Sequence, residues 1–427
     1  MRKPMTALAG SLVAVSLALL GACGSNTTVP TPQPSVDFGD CTPVYAAVSS
    51  EKVNMFTELA NKFEASPEAQ ALGKCAMIAP VDVASGEATR LLNNGWNTAE
   101  TTKPRPVLWS PASSVWVDQV TATSGPGLIA SATSFTWSPV VLAMPEQMAR
   151  QMGWPDKPIG LKDIHGLCTD SRGWGKYGGG AGLWGPFRLG KTNPNTSTTG
   201  MNMLLMQSYA ASGKTTGLSV KDITKAEAFD RQLESCVIHY GDTTGSVLQR
   251  VYDRAQAGQP LGYVSAIAVE KTSVVNYNLG NPTSRVVKPG ETLTPPREKL
   301  IAVYPSGGSL ISDNPIAVLA TDWVSPEQQK AGQAFANFVQ TEVAQQVLPD
   351  YGFRKLDPVA PLGGAFTPEN GVDATKKLTV LEKPAVATVT AAIQQCAAVR
   401  KPSSVLELID VSGSMGEGIP GSSENKI

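Results

Sequence analysis

Three oxygen-bearing side chains near residue 410 have a spacing that suits a small, hard cation. Asp410, Ser412 and Ser414 stand at alternate positions of the segment 410–415. A carboxylate and two hydroxyls offer the oxygen donors that Mg²⁺ prefers. The apolar run 404–409 before them predicts a buried strand, and open α/β sheets bind ligands in loops at the carboxyl ends of strands. The alternative is a loop rich in serine and glycine that simply follows a buried strand.

The same segment, an apolar run followed by Asp-Val-Ser-Gly-Ser-Met, resembles the first strand and metal-ion-dependent adhesion motif of von Willebrand factor A domains. In that family a threonine and a second aspartate, far downstream, complete the coordination. Residues 416–427 are too few to hold them or the rest of a Rossmann-like sheet. We therefore expect residues 401–427 to be the truncated start of such a domain, with an incomplete, inactive metal site. No cofactor is expected in this chain, and Mg²⁺ would require the complete domain.

Hydroxyl side chains also follow three predicted strands in the first part of the chain, and helical spacing of apolar residues follows over 53–65 and 87–93. The strands and the residues after them are 42–48 with Ser49 and Ser50, 75–83 with Ser85 and Gly86, and 106–109 with Ser110. Repeated strand–loop–helix units predict a parallel sheet, and helix amino termini favour anions. Each loop alone is explained by helix capping. Three loops on one sheet edge also fit a shared ligand cleft, and both interpretations stay open.

The segment 44–50, Val-Tyr-Ala-Ala-Val-Ser-Ser, resembles the opening of extracellular solute-binding proteins of the molybdate-binding type. Later segments resemble the same family in order: 137–145 a crossover strand, 193–200 the start of an apolar helix, 261–265 a return strand, and 304–308, 314–319 and 352–354 the ending. The resemblance covers about residues 40–360. It implies an α/β, type II periplasmic-binding fold, in which two lobes joined by a hinge hold a ligand between them.

Carried onto this sequence, the resemblance implies that hydroxyls and backbone amides grip an oxyanion or another small molecule. The implied ligand-binding residues are Ser49, Ser50, Ser85, Gly86, Ser110, Ser197, Thr198, Thr199 and Gly200. Four tryptophans near the expected cleft, Trp109, Trp137, Trp174 and Trp184, would suit a larger or more apolar ligand such as a sugar ring or a peptide. The alternative is that these tryptophans pack the core or the lobes.

The amino-terminal residues predict export and lipid anchoring. A basic start with Arg2 and Lys3 precedes the uncharged apolar stretch 5–22, and Leu20-Gly-Ala-Cys23 is similar to the lipobox of bacterial lipoprotein precursors. A transmembrane helix is the alternative, but small residues at the cleavage point and the polar, proline-bearing stretch after them favour a signal peptide. We expect acylation, such as palmitate, on Cys23, and an anchored protein on the extracytoplasmic face of a Gram-positive or actinobacterial cell membrane.

Five further cysteines and the charge balance narrow the class of protein. None of the cysteines forms a C-x-x-C motif, and exported proteins favour disulfides. Connectivity does not follow from spacing, but Cys41–Cys75 and Cys168–Cys236 each fall within one expected lobe, which leaves Cys396 unpaired.

The formal net charge of −1 gives no support for nucleic acid as a partner. We find no Ser-His-Asp or Cys-His arrangement, so an enzyme is not expected.

The expected organisation is a signal peptide at 1–22, a flexible tether at 23–39, a solute-binding domain at 40–356, a linker and helix at 357–400, and the domain start at 401–427. Lobe 1 would comprise residues 40–136 and 266–356, and lobe 2 residues 137–265. The expected function is capture of a small ligand between the lobes, for a transporter permease or a surface protein. The alternative is a ligand-free spacer that displays an adhesion domain.

Overall fold

The computed structural model describes residues 36–401 except 289 and 358–361. The predictions for the signal peptide, for Cys23 and for Asp410, Ser412 and Ser414 therefore lie outside the described residues. Within the described part, no helix combines the length and apolar character needed to cross a membrane.

Two separate sheets form the two lobes. The first sheet has the strand order β2-β1-β3-β11-β4, and the second has the order β10-β5-β8-β6-β7, with β9 also paired to β5. The strands are β1 Thr42–Val48, β2 Ala76–Asp82, β3 Leu108–Ser110, β4 Ile129–Ser134, β5 Ser138–Pro145, β6 Leu189–Thr192, β7 Val237–Gly241, β8 Ala266–Glu270, β9 Leu300–Val303, β10 Ile311–Ser312 and β11 Pro315–Leu319.

Helices cover both sheets. They are α1 Val53–Glu64, α2 Pro67–Gln70, α3 Ser85–Asn93, α4 Ser114–Ser124, α5 Glu146–Gln151, α6 Leu161–Thr169, α7 Thr198–Ser212, α8 Val220–Ser235, α9 Thr244–Gln256, α10 Lys271–Asn278, α11 Pro326–Phe338, α12 Glu342–Gln345 and α13 Val386–Val399. The predicted strands and helices of the first 110 residues agree with β1, α1, β2, α3 and β3 to within a few residues.

One face of the first sheet is closed by an aromatic core. Phe56 and Phe63 of α1 have the spacing that places them on one helix face, and both are fully buried. Their rings pack 5.9 and 5.3 Å from the ring of Phe335 in α11, measured between centroids. This contact fixes α1, and with it the loop between β1 and α1, against the sheet.

The chain returns to the first lobe later than the sequence indicates. Strand β8 pairs antiparallel with β5, and β9 and β10 pair with β5 as well. Lobe 2 therefore extends to about residue 312 instead of ending at 265, and the return to lobe 1 is made by β11. The reason for the error is that β8 is buried throughout, so its sequence does not indicate which sheet it joins.

The segment after residue 357 is also more ordered than a linker. Ala365, Phe366 and Val372 are buried in the core that lies under the second sheet. Helix α13 matches the predicted helix at 385–400 and packs on α7 and α8 of lobe 2. The ammonium of Lys383 also donates to the carboxylate of Asp118 in lobe 1 at 2.6 Å. This segment thus contacts both lobes.

Both expected disulfides are present. Cys41 pairs with Cys75 beside the start of β1 and β2, and Cys168 pairs with Cys236 between α6 and the end of α8. Cys396 is a free thiol buried in α13, as the sequence predicts for the odd cysteine.

We expect Phe335→Ala to lower the free energy of unfolding by about 3–5 kcal/mol, because it removes the ring that α1 packs against. Leu183→Ala is the control: Leu183 is 91% exposed, so its loss should change stability by no more than about 0.5 kcal/mol. Urea unfolding followed by tryptophan fluorescence measures both. Equal effects of the two substitutions would contradict the proposed core.

Candidate functional site: the cleft between the lobes

The carboxyl ends of three strands lie together in lobe 1. Val48, the last residue of β1, is opposite Asp82 of β2 and opposite Ser110 of β3 in the two parallel ladders. Ser49 and Ser85 therefore enter the same space from neighbouring strand ends. The hydroxyl of Ser85 accepts a hydrogen bond from the backbone N–H of Ala112 at 3.0 Å, which ties the second loop to the third.

Lobe 2 faces these loops with the amino terminus of α7. Ser197 caps this helix and accepts from the N–H of Gly200 at 3.5 Å. The hydroxyl of Thr199 lies 2.9 Å from that of Ser197 and 2.8 Å from that of Thr244, at the start of α9. Two helix amino termini of lobe 2 thus present a connected row of hydroxyls.

Direct hydrogen bonds hold the two lobes together around the cleft. The N–H of Gly86 in α3 donates to the carbonyl of Thr196 at 3.0 Å. The indole N–H of Trp116 in α4 donates to the hydroxyl of Thr198 at 2.8 Å. The amide of Asn54 in α1 donates to the carbonyl of Arg285 at 2.6 Å. The structure is therefore a closed arrangement of the lobes.

The glycine at position 86 is required for this closure. A Cβ atom there would lie 2.0 Å from the carbonyl oxygen of Asn195 across the cleft. Gly200 has a different role, because a Cβ on it would lie 2.3 Å from the carbonyl oxygen of Thr192 within lobe 2. Neither glycine lines the cleft, although both were implied as ligand-binding positions.

Charged groups lie at the wall of the cleft and behind it. Lys52 is fully buried and its ammonium donates to the hydroxyl of Ser110 and to the carbonyl of Pro111, both at 2.8 Å. Burial lowers the pKa of Lys52 to about 8, although Glu51, Glu270 and Asp313 act to raise it. Burial, and then the negative charge of Glu51, raise the pKa of Glu270 well above its usual value.

The cleft holds about 500 Å³ of empty space, a volume that includes open solvent at its mouth. Hydroxyl side chains make up most of its wall. The described residues that line it are Ser49, Ser50, Glu51, Ala84, Ser85, Ala112, Thr196, Ser197, Thr198, Thr199, Thr243, Thr244, Gly245, Glu270, Ser273, Pro282, Thr283 and Ser284. A wall of this kind suits a small, polar, hydrogen-bonding ligand.

The structure brings six of the nine implied ligand residues to this cleft: Ser49, Ser50, Ser85, Ser197, Thr198 and Thr199. Ser110 lies behind it, where its hydroxyl donates to the carbonyl of Pro315 at 2.7 Å. None of the four tryptophans lines the cleft. Trp109 and Trp174 are buried in the core, the ring of Trp184 packs 5.2 Å from that of Trp174, and Trp137 stacks on Arg354.

Sequence reasoning missed Thr243, Thr244 and Glu270. The two threonines follow β7 and start α9, so they repeat the strand–hydroxyl–helix pattern that singled out the other loops. Glu270 is the last residue of a buried strand and stands directly before a helix. An acidic residue between an apolar run and a helix was the feature of the sequence that could have indicated it. Among the described residues, no group of three or more His, Cys, Asp or Glu side chains is placed to hold a metal ion.

Two α/β lobes that close over a polar cleft define the class of two-lobed binding proteins. The chain belongs to the bacterial extracellular solute-binding protein family, whose model matches residues 44–354. Membership of this family implies an extracytoplasmic location and the binding of a small solute, and gives no support for an enzyme. No curated protein sequence matches the chain significantly.

Solved structures share the fold at low sequence identity. A periplasmic thiamin-binding protein is 14% identical with a TM-score of 0.55, over 85% of this chain and 97% of that chain. Iron-bound HitA from Pseudomonas aeruginosa is 14% identical with a TM-score of 0.50, over 84% and 99%. AfuA from Actinobacillus pleuropneumoniae, with fructose-6-phosphate bound, is 11% identical with a TM-score of 0.50, over 84% and 96%. These likenesses show the fold alone.

We expect Gly86→Ala to hold the lobes apart, because the added methyl group would overlap the Asn195 carbonyl. The radius of gyration from small-angle X-ray scattering should rise, while the helical circular dichroism signal stays unchanged. Gly127→Ala is the matched control, since a Cβ there would meet nothing within 4 Å. Identical scattering from both variants and the parent chain would show that this contact does not limit closure.

Proposed function

We propose that the chain captures a small polar solute between its lobes and that the hydroxyls of both lobes hold it. The supporting observation is that strand-end loops of lobe 1 and helix amino termini of lobe 2 wall one cleft, with hydrogen bonds between the lobes at its rim. Opening these contacts admits the solute, and re-forming them encloses it. Closure of this kind presents a changed surface to a transporter permease or another surface protein.

We further propose that the protein is held at the extracytoplasmic face of the membrane by acyl chains on Cys23. The lipobox-like segment Leu20-Gly-Ala-Cys23 supports this proposal, as does membership of an extracellular family. Residues 23–39 would then serve as the tether between the membrane and the binding domain. The resemblance of residues 401–427 to the start of a von Willebrand factor A domain stays a prediction.

A thermal-shift screen of oxyanions, sugars and amino acids tests solute capture. A ligand at 100 times its dissociation constant adds about 2.7 kcal/mol to stability, which raises the melting temperature. Ser49→Ala and Ser197→Ala should reduce this rise, with each variant compared with its own ligand-free form because Ser197 also caps α7. Ser124→Ala, on an exposed residue at the far end of α4, should leave it unchanged.

Solute capture would be contradicted if no compound of a broad panel raised the melting temperature of the parent chain, and if neither serine substitution changed that result. That result would favour the alternative in which the two lobes act as a ligand-free spacer for an adhesion domain.

Palmitate labelling tests the anchor. Expression of the full chain in a bacterial host with labelled palmitate should give a labelled protein in the membrane fraction, and Cys23→Ser should abolish the label. Cys396→Ser should retain it, because the Cys396 thiol is buried in α13. Label that persists in Cys23→Ser would refute anchoring at this residue.

A further inference from the structure

The cleft carries negative charge without a matching positive charge on its wall. Of the described residues that line it, Glu51 and Glu270 are the charged ones, and none is lysine, arginine or histidine. The ammonium of Lys52 does not line the cleft, and it donates to two uncharged oxygens, on Ser110 and Pro111. An anionic ligand would therefore meet two carboxylates and no free cation.

Glu270 is the most unusual group at this site. The residue is only 2% exposed, and its Oε2 atom is buried without a hydrogen-bond partner. A buried carboxylate oxygen without a partner is costly, since desolvation is not offset by pairing. The hydroxyl of Ser312 is the uncharged polar group beside this carboxylate, and Glu270 also lines the cleft, so a bound ligand would be a further partner for it.

The surrounding charges leave a negative excess around this oxygen. Glu51 faces Glu270 from the loop after β1, Lys52 from the same loop, and Asp313 from the segment between β10 and β11. The carboxyl groups of Glu51, Glu270 and Asp313 all interact electrostatically with the same ammonium group, that of Lys52. A ligand that brings one positive charge would reduce this imbalance.

Several hydrogen-bond donors at the cleft are already used within the protein. The hydroxyl of Ser49 already donates a hydrogen bond to the carboxylate of Glu51. The hydroxyl oxygen of Thr198 already accepts from the indole of Trp116 and, like every hydroxyl, has a second lone pair. The backbone N–H groups of Gly86 and Gly200 are taken by Thr196 and Ser197. This leaves fewer donors for an oxyanion than the molybdate-type resemblance implies.

We propose that the cleft takes a small organic cation, with an ammonium group paired to the free Oε2 atom of Glu270. The proposal rests on the proposed function and specifies its ligand class. Glu51 adds a second, more exposed negative charge at the same wall, and the hydroxyls of Ser49 and Thr198 supply acceptor lone pairs. Hydrogen bonds between charged partners are the strong ones, so this pair would dominate specificity.

Cation binding should release protons. Burial and Glu51 favour the protonated form of Glu270 in the ligand-free protein, and an adjacent positive charge favours the ionised form. Binding of a primary ammonium ion, which stays protonated near neutral pH, should therefore release a fraction of a proton and become weaker as the pH falls. Both effects should disappear when residue 270 cannot ionise.

Isothermal titration calorimetry of the purified chain tests the proposal. The probes are methylammonium, choline and putrescine as cations, sulfate and molybdate as anions, and glucose as a neutral compound. We expect at least one cation to bind, and Glu270→Gln to weaken it by roughly 10- to 100-fold. Glu227→Gln, on an exposed face of α8, is the matched control and should not alter affinity. Titration in two buffers of different ionisation enthalpy measures the proton release.

Glu270→Gln should fold, because it keeps the size and shape of the side chain and removes a buried group that is costly to ionise, and its melting temperature without ligand should be equal to or above that of the parent chain. Binding of sulfate, molybdate or glucose without binding of any cation would overturn the cation proposal and leave solute capture standing. Cation binding that is equally strong in Glu270→Gln, or without proton release, would overturn the role of Glu270. Failure of all the cations to bind would also overturn the cation proposal. Whether the chain captures any solute is then tested separately by the thermal-shift screen of oxyanions, sugars and amino acids.

Discussion

The buried ammonium of Lys52 is the contact on which the geometry of the cleft depends. It lies directly after β1 and donates to the loop after β3, and the serine it contacts donates in turn to Pro315 at the start of β11. One side chain therefore joins the ends of three strands that are far apart in sequence. Because a buried charge must be satisfied by nearby polar groups, these loops have little freedom to move independently.

The positive charge of Lys52 also interacts with a residue on the wall of the cleft. The carboxyl group of Glu270, at the end of β8 in the other lobe, interacts electrostatically with Lys52 and Glu51 across the boundary between the lobes. The contacts between the lobes at the rim of the cleft are, by contrast, made by uncharged residues. Gly86 allows two backbones to meet, and Trp116 and Asn54 add directional hydrogen bonds. The carboxyl-terminal segment adds a further contact between the lobes through Lys383 and Asp118.

Much of the fold follows from local pattern. Apolar runs that end in serine predict β1, β2 and β3, and the spacing of Phe56 and Phe63 predicts α1, because strand and helix periodicities are properties of neighbouring residues. The resemblance to solute-binding proteins indicated two lobes, and the two separate sheets confirm this. The assignment of β8, β9 and β10 to the second sheet was missed. Strands β8 and β9 are buried throughout and carry no alternation that would reveal their partners, and β10 has only two residues.

The sequence by itself determined the types of side chain at the strand ends. Ser49 and Ser85 could be named because each stands between a predicted strand and a predicted helix, and Ser197 because its segment resembles a helix start in solute-binding proteins. Only the tertiary structure decided which of them meet. Ser110 has the same local pattern, yet Lys52 and Pro315 hold it behind the wall. Glu270 has no motif at all, and its importance comes from burial, an unpaired oxygen and charges contributed by distant segments. These are properties of the three-dimensional surroundings, which arise from contacts between residues far apart in the chain.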